Sequence, residues 1–278
     1  MFSTIRTKLK LKKLDNNNKK LREWLFDAIE NGKPEDIARF VSEHGDDPEL
    51  MNARVLHEIR GATALIHAVR CQRPDIVREL LKATYIDLNA IDHAHPRAGL
   101  DEAKHYLNSA LLAAIVTKQL DIVEMLVVIN SLKINAVGTD RRTALMYAID
   151  YCPAAIPLLL NVKSIHVDAQ DGNERTVLHH ACLRRNAYAE ELPNYIMILI
   201  AAPKTLLDKA DSEGCTPLMI AAQRGDFPLV RALIQAGANI ELVNEAGYSA
   251  QALAEQQGRY NIGAYINSNQ TNFRRSLY

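Results

Sequence analysis

The 278-residue chain uses structure breakers sparingly, with 12 glycines and 10 prolines, far from the profile of a disordered or low-complexity chain. Cysteine is equally scarce. The four, Cys71, Cys152, Cys182 and Cys215, lie 81, 30 and 33 residues apart, so no pair forms a CxxC metal or redox element. A chain this long and apolar has no need of disulfide staples, and a reduced, cytoplasmic setting is expected. No apolar run approaches the roughly 20 residues that span a bilayer. The basic start is not followed by the apolar segment of a signal peptide. A Gly-rich phosphate loop, HExxH and GxSxG are all missing. Net charge is missing too: 33 Lys and Arg balance 33 Asp and Glu, so the totals give no warrant for a specific nucleic-acid binder.

That balance conceals an asymmetry. Residues 1–22 carry eight basic residues against Asp15, a charge of +7 that leaves the remainder at −7. Lys8, Lys10, Lys12 and Lys13 alternate with leucines in this arm. Weak contact with an anionic membrane, nuclear import and a merely solvated arm are all compatible with it.

What the chain does have is internal repetition. Thr63-Ala64-Leu65-Ile66-His67-Ala68, Ser109-Ala110-Leu111-Leu112-Ala113-Ala114, Thr143-Ala144-Leu145-Met146-Tyr147-Ala148, Thr176-Val177-Leu178-His179-His180-Ala181 and Thr216-Pro217-Leu218-Met219-Ile220-Ala221 align, with Ser249-Ala250-Gln251-Ala252-Leu253-Ala254 as a weaker copy. The hydroxyl residues step by 46, 34, 33, 40 and 33, a base period of 33 with two insertions. A second segment follows each copy, as in Asp75-Ile76-Val77-Arg78-Glu79-Leu80-Leu81 or Leu229-Val230-Arg231-Ala232-Leu233-Ile234, with apolar residues at i, i+1, i+4 and i+5 on one helical face. Each unit is predicted to be two short antiparallel helices and an extended connector. The hydroxyl caps the first helix, and Gly237 marks a left-handed C-terminal cap.

The copy Gly214-Cys215-Thr216-Pro217-Leu218-Met219-Ile220-Ala221-Ala222, continuing to Ala236-Gly237-Ala238-Asn239, resembles the ankyrin-repeat family and its Thr-Pro-Leu-His-x-Ala signature. The other copies diverge: the signature Pro stands only at Pro217, and the signature His is read at His67 and His179. The resemblance implies an all-α solenoid of stacked helix-turn-helix and β-turn units. Units are expected at about 21–53, 61–92, 107–139, 141–172, 174–212, 214–246 and 247–268, with a basic arm over 1–20, insertions near 93–106 and 184–195, and a loose tail over 269–278.

The resemblance further implies a non-enzymatic, monomeric scaffold without cofactor or metal, binding a protein through its turn tips, concave face and inserted loops. Along the tips this selects Thr139, Asp140, Arg141, Asp171, Asn173, Glu174, Arg175, Ser212, Glu213, Asn244 and Glu245, whose acidic bias suits a basic partner. The first insertion offers His93, His95, Arg97 and His105, whose spacing matches no zinc motif. The second offers Arg184, Arg185, Tyr188 and Tyr195, types enriched at interface hot spots. In some family members a connector Asn is hydroxylated by a dioxygenase, and Leu81, Asp87, Leu88 and Asn89 match that pattern. Divergent repeats of this kind are similar to those of ankyrin proteins that intracellular bacteria deliver into a host cell. The alternative keeps the fold but makes the chain a membrane- or chromatin-directed adaptor anchored by its arm.

Overall fold

The computed structural model describes residues 19–53, 62–91, 109–138, 140–184, 194–201 and 207–275. They belong to two compact units, 1–139 and 140–278. The described helices of the first unit are α1 (19–31), α2 (Pro34–His44), α3 (Pro48–Met51), α4 (Ala64–Arg70), α5 (Pro74–Leu80), α6 (Ala110–Val116) and α7 (Leu120–Val127). In the second they are α8 (Ala144–Tyr151), α9 (Ile156–Leu160) after a 3₁₀ turn at Pro153–Ala155, α10 (Val177–Arg184), α11 (Asn194–Ile200), α12 (Pro217–Arg224), α13 (Phe227–Gln235), α14 (Ala250–Gln256) and α15 (Tyr260–Arg275). The architecture is the all-α array of helix pairs expected from the period. An isolated β-bridge joins Val243 to Ser249.

The hydroxyl residues start the inner helices by a shared device. The Thr63, Ser109, Thr143, Thr216 and Ser249 side chains accept the main-chain N–H three residues on, at 3.3–3.5 Å. Such a cap satisfies one of the orphan donors of a helix start. The inner helices are buried almost all round, as in Ala64 to Val69 of α4 and Ala144 to Ile149 of α8. They form a row in each unit, α4 on α6 in the first and α8, α10, α12 and α14 in the second. Outer helices bury one stripe only: Ile76, Val77 and Leu80 in α5; Ile122, Val123 and Leu126 in α7. In α14 burial shrinks to Ala250, Leu253 and Ala254.

Two left-handed positions recur. Nine residues after the hydroxyl, the inner helix ends with positive φ at Gln72, Lys118, Gly225 and Gly258. Two residues before it, the hairpin tip does the same at Arg141, Glu174, Gly214 and Gly247. Gly237 is left-handed after α13, as expected. Arg73 closes the C-terminal end of α1 from the next repeat, donating to the carbonyls of Ile29, Glu30 and Gly32 at 3.0–3.3 Å.

One sequence expectation needs correcting. The signature His stands three residues after the hydroxyl, and His179 occupies that place after Thr176. Its Nδ1 accepts from the Thr176 main-chain N–H at 3.1 Å and lies 2.8 Å from the Thr176 hydroxyl, so Nε2 carries the proton and donates to the Cys215 carbonyl of the next repeat at 3.0 Å. His67 follows Thr63 by four and therefore shares the slot of His180; the signature slot of that repeat holds Ile66.

The tip glycines separate two costs. An L-residue in the left-handed region costs about 1 kcal/mol, and at Gly247 a Cβ would meet nothing within 4 Å. At Gly214 the Cβ would lie 2.6 Å from the Glu245 main-chain nitrogen, which donates to the Glu213 carbonyl. Gly247→Ala is therefore expected to lower unfolding stability by about 1 kcal/mol and Gly214→Ala by at least twice that, in urea denaturation. Equal losses would show that the tip-to-tip bond contributes nothing.

Candidate functional site

The hairpin tips of the second unit are built by acidic and amide side chains folding back on their own main chain. Asp171 Oδ1 accepts from the N–H groups of Asn173 (2.8 Å) and Arg175 (2.9 Å), and Asp211 Oδ1 accepts from Glu213 and Cys215, both at 3.0 Å. Asn244 Oδ1 accepts from Tyr248 at 2.9 Å. Adjacent tips are then joined through the main chain: Gly172 donates to the Asp140 carbonyl, Ser212 to that of Asn173 and Glu245 to that of Glu213, at 2.9–3.2 Å. The row is thus fixed edge to edge, and Asp140, Arg141, Asn173, Glu174, Ser212, Glu213 and Glu245 stand exposed along it. Val243 and Tyr248 are exposed beside the last tip.

Beneath the first two of these tips lies a charged slot. The Asp150 carboxylate, with 1% of its side chain exposed, accepts from Arg142 Nη1 and Arg184 Nε, both at 2.7 Å. Arg142 Nε also pairs with Asp140 at 3.1 Å, and the Tyr147 hydroxyl donates to Asp140 at 3.0 Å. The buried Asp171 receives a hydrogen bond from His180 Nε2 at 2.9 Å. Burial lowers the His180 pKa, and the Arg142 charge adds to that, against Asp171 and Asp150. Burial works to raise the Asp171 pKa, yet the N–H groups of Arg175 and Asn173 and the His180 contact hold it below the ordinary value. Burial, then the neighbouring Asp140, pushes the Tyr147 phenol up.

These contacts redistribute the sequence-selected residues. Asp171 is not a wet tip but a buried turn-former, and half-buried Asn244 also serves its own turn and donates to Cys215 Sγ at 3.6 Å. Arg175 is half-buried and paired with Asp211 at 3.3 Å. Arg184 is exposed at its surface but committed to Asp150. Tyr195 is half-buried near the start of α11. Arg185, Tyr188, His93, His95, Arg97, His105, Thr139, Lys8, Lys10, Lys12 and Lys13 lie outside the described residues. Asn89 is a stitch between connectors: its Oδ1 accepts from Lys133 N at 2.7 Å and its Nδ2 donates to the Ser131 carbonyl at 3.1 Å. Asn52 does the same one repeat earlier, with Tyr85 and Asp87. An enzyme acting on Asn89 must first lift that connector away.

Sequence comparison agrees with this architecture. The profile described as ankyrin repeats (3 copies) matches residues 25–137 and 111–198, and that of a single ankyrin repeat matches 213–245. The chain belongs to the ankyrin-repeat family, a family of non-catalytic interaction scaffolds. It is similar to Protein glp-1 of Caenorhabditis elegans, 27% identical over 265 residues that cover 89% of this chain and 18% of that protein. It is also similar to Neurogenic locus notch homolog protein 1 of Xenopus laevis, 33% identical over 136 residues, 48% of this chain and 5% of that protein. The chain therefore spans less than a fifth of either relative. Among the described residues, no helix is long and apolar enough to cross a membrane.

The slot generates two expectations. Arg142→Ala strips a buried carboxylate of one of its two guanidinium partners and should cost about 3 kcal/mol in chemical denaturation. Adding Asp150→Ala to it should restore part of that loss, because the uncompensated charge is gone. The second concerns pH. His179 is held low by burial, against the Cys215 carbonyl and Asp211 and with Arg175 nearby, and His180 by burial among Arg142, Asp150 and Asp171. With folded values below the unfolded value of about 6.5, both histidines take up protons on unfolding. Their contribution is present above that pH and is lost as pH falls through the folded values. Tm is expected to drop between about pH 7 and pH 5, and to drop less when His179 and His180 are both changed to Asn.

Proposed function

We propose that the chain is a non-enzymatic scaffold that holds a basic protein surface against the hairpin tips of residues 140–278. The observation that carries this reading is the row of exposed Glu174, Glu213 and Glu245 with Asp140, held in register by tip-to-tip main-chain hydrogen bonds. A charged row on a fixed main chain loses little conformational entropy when a partner docks. It steers an oppositely charged partner and selects against an acidic one. Val243 and Tyr248 add apolar area at one end, the kind of contact that contributes affinity where charge supplies specificity. Family membership supports interaction as the class of role.

The inserted segments, 93–106 and 184–195, extend the same reading as additional recognition loops. We further propose that the chain is delivered into a host cell by an intracellular bacterium, a reading that rests on the divergence of its repeats alone. A charge-steered tip row suits a host protein as well as one of the cell that makes it.

The test is affinity capture and titration with four forms of the full chain: unaltered, Glu174→Lys/Glu213→Lys/Glu245→Lys, residues 93–106 shortened, and residues 1–18 removed. A captured basic protein whose affinity falls roughly tenfold or more on charge reversal, and whose binding weakens with salt, is the expected result. Binding unchanged by the reversal overturns the tip assignment. Capture of lipid or nucleic acid, lost with residues 1–18, favours the arm-anchored adaptor instead.

A further inference from the structure

The slot that Asp150, His180 and Arg184 fill in the second unit recurs in the first with different chemistry. Leu25-Phe26-Asp27-Ala28-Ile29-Glu30 runs parallel in sequence to Leu145-Met146-Tyr147-Ala148-Ile149-Asp150, so Glu30 stands where Asp150 does. His67, four residues after its hydroxyl cap, stands where His180 does, and Cys71, eight after it, replaces Arg184. The exchange of a guanidinium for a thiol turns a charge-compensated slot into a set of metal-ligand atoms.

Their geometry is convergent. Glu30 Oε1 lies 3.0 Å from His67 Nε2, and Cys71 Sγ lies 3.6 Å from that same nitrogen. One ligand atom from each residue fits within 4.8 Å of the other two. Zinc bonds of about 2.0–2.3 Å put adjacent ligand atoms of a tetrahedron roughly 3.4–3.6 Å apart. The sulfur–nitrogen separation already has that length, but Sγ also lies 3.9 Å from Nδ1, against the ring. The Cys71 side chain must therefore rotate toward the Nε2 lone pair while the exposed Glu30 side chain, its oxygen within 4.8 Å of the sulfur, shifts with it. A nucleophilic triad is excluded by the same distances. An acid that orients a catalytic His occupies Nδ1 and leaves Nε2 to the nucleophile, whereas here the acid holds Nε2 and the thiol, 3.6 and 3.9 Å from the two ring nitrogens, lies against the ring. The thiol is moreover pushed up by burial and by Glu30, the reverse of an activated cysteine.

We propose that Glu30, His67 and Cys71 form a three-ligand zinc site between the first two repeats. Zinc enters from solvent on the Glu30 side, where 48% of the side chain is exposed. The Cys71 S–H proton leaves to solvent as the Zn–S bond forms. The proton that neutral His67 donates from Nε2 to Glu30 in the metal-free slot moves to Nδ1, by exchange with solvent, and frees the Nε2 lone pair for the metal, while water completes the tetrahedron. The carboxylate and thiolate face the positive Arg70, whose charge acts on His67, and Arg73, whose charge acts on Cys71 but is paired with Asp75 at 2.9 Å. The Phe26 ring, 5.3 Å from the His67 ring between centroids, forms an apolar wall to the site.

The full chain, stripped with chelating resin and kept in a non-thiol reductant, is titrated with zinc and, separately, with cobalt. One zinc per chain retained through gel filtration is expected, as is a thiolate-to-cobalt charge-transfer band in the near ultraviolet. Cys71→Ser should abolish the band, and Glu30→Gln should weaken zinc binding at least tenfold. Cys215→Ser, which spares the slot, should leave both unchanged. Circular dichroism melts confirm that each variant folds, and added zinc should raise Tm in the unaltered chain but not in Cys71→Ser. A folded chain that retains no zinc, a cobalt band that survives Cys71→Ser, or undiminished affinity in Glu30→Gln overturns the assignment.

Discussion

A helix of seven or eight residues does not persist alone in water, because its nucleation cost is spread over too few hydrogen bonds. Most helices here are that short, α4, α5, α6, α7, α8, α10 and α12 among them. Each is held by burial against its neighbours, and the burial differs by layer. Inner helices lie between a partner helix and the inner helices of adjacent repeats, so they are apolar nearly all round and rich in alanine. Outer helices have one buried stripe and carry charge on the other side. Stacking is thus the condition for secondary structure itself, and local defects must be tolerable provided that the stack survives.

Apolar stacking alone does not fix register. Adjacent repeats are additionally joined by polar links of defined length: Asn52 and Asn89 between connectors, the tip-to-tip main-chain bonds, and His179 reaching the Cys215 carbonyl. Each link demands one position and one donor–acceptor polarity, so a slip of even one residue breaks it. The tips inherit this precision. Their exposed side chains stand on a main chain already satisfied in its hydrogen bonding, which leaves them available to a partner.

The sequence made the frame legible and the slots beneath it much less so. Recurrence of Thr or Ser before an apolar run signals a cap, a period and a stack at once, and those expectations correspond to observed contacts. Asp171 illustrates the limit: a tip Asp in an otherwise wet turn is indistinguishable, by type, from one folded back on its own main chain. The partners of Asp150 come from eight residues upstream and 34 downstream, a separation that no local pattern marks. His67 shows a finer failure. Similar in type to the signature His, it sits one residue later, and on a helix one residue is a rotation of about 100°. Counting strictly from Thr63 would have placed it with His180. Cys71 follows it by one helical turn, whereas Glu30 comes from 37 residues upstream, in the preceding repeat.

The paired slots show why such a solenoid can diverge without losing its fold. In the second unit the buried carboxylates are balanced by Arg142 and Arg184, and His180 remains neutral. In the first, Glu30 is partly exposed and His67 and Cys71 are uncharged at neutral pH, so the slot needs no guanidinium to be stable. Both solutions meet the same requirement, that no charge be buried without compensation. Neither touches the helix caps or the apolar stripe that hold the stack. The slot is therefore free to change chemistry from one repeat to the next while the backbone stays the same. Charge, ligand atoms or apolar side chains can be installed there, and at the exposed tips above, with little effect on the residues that build the array.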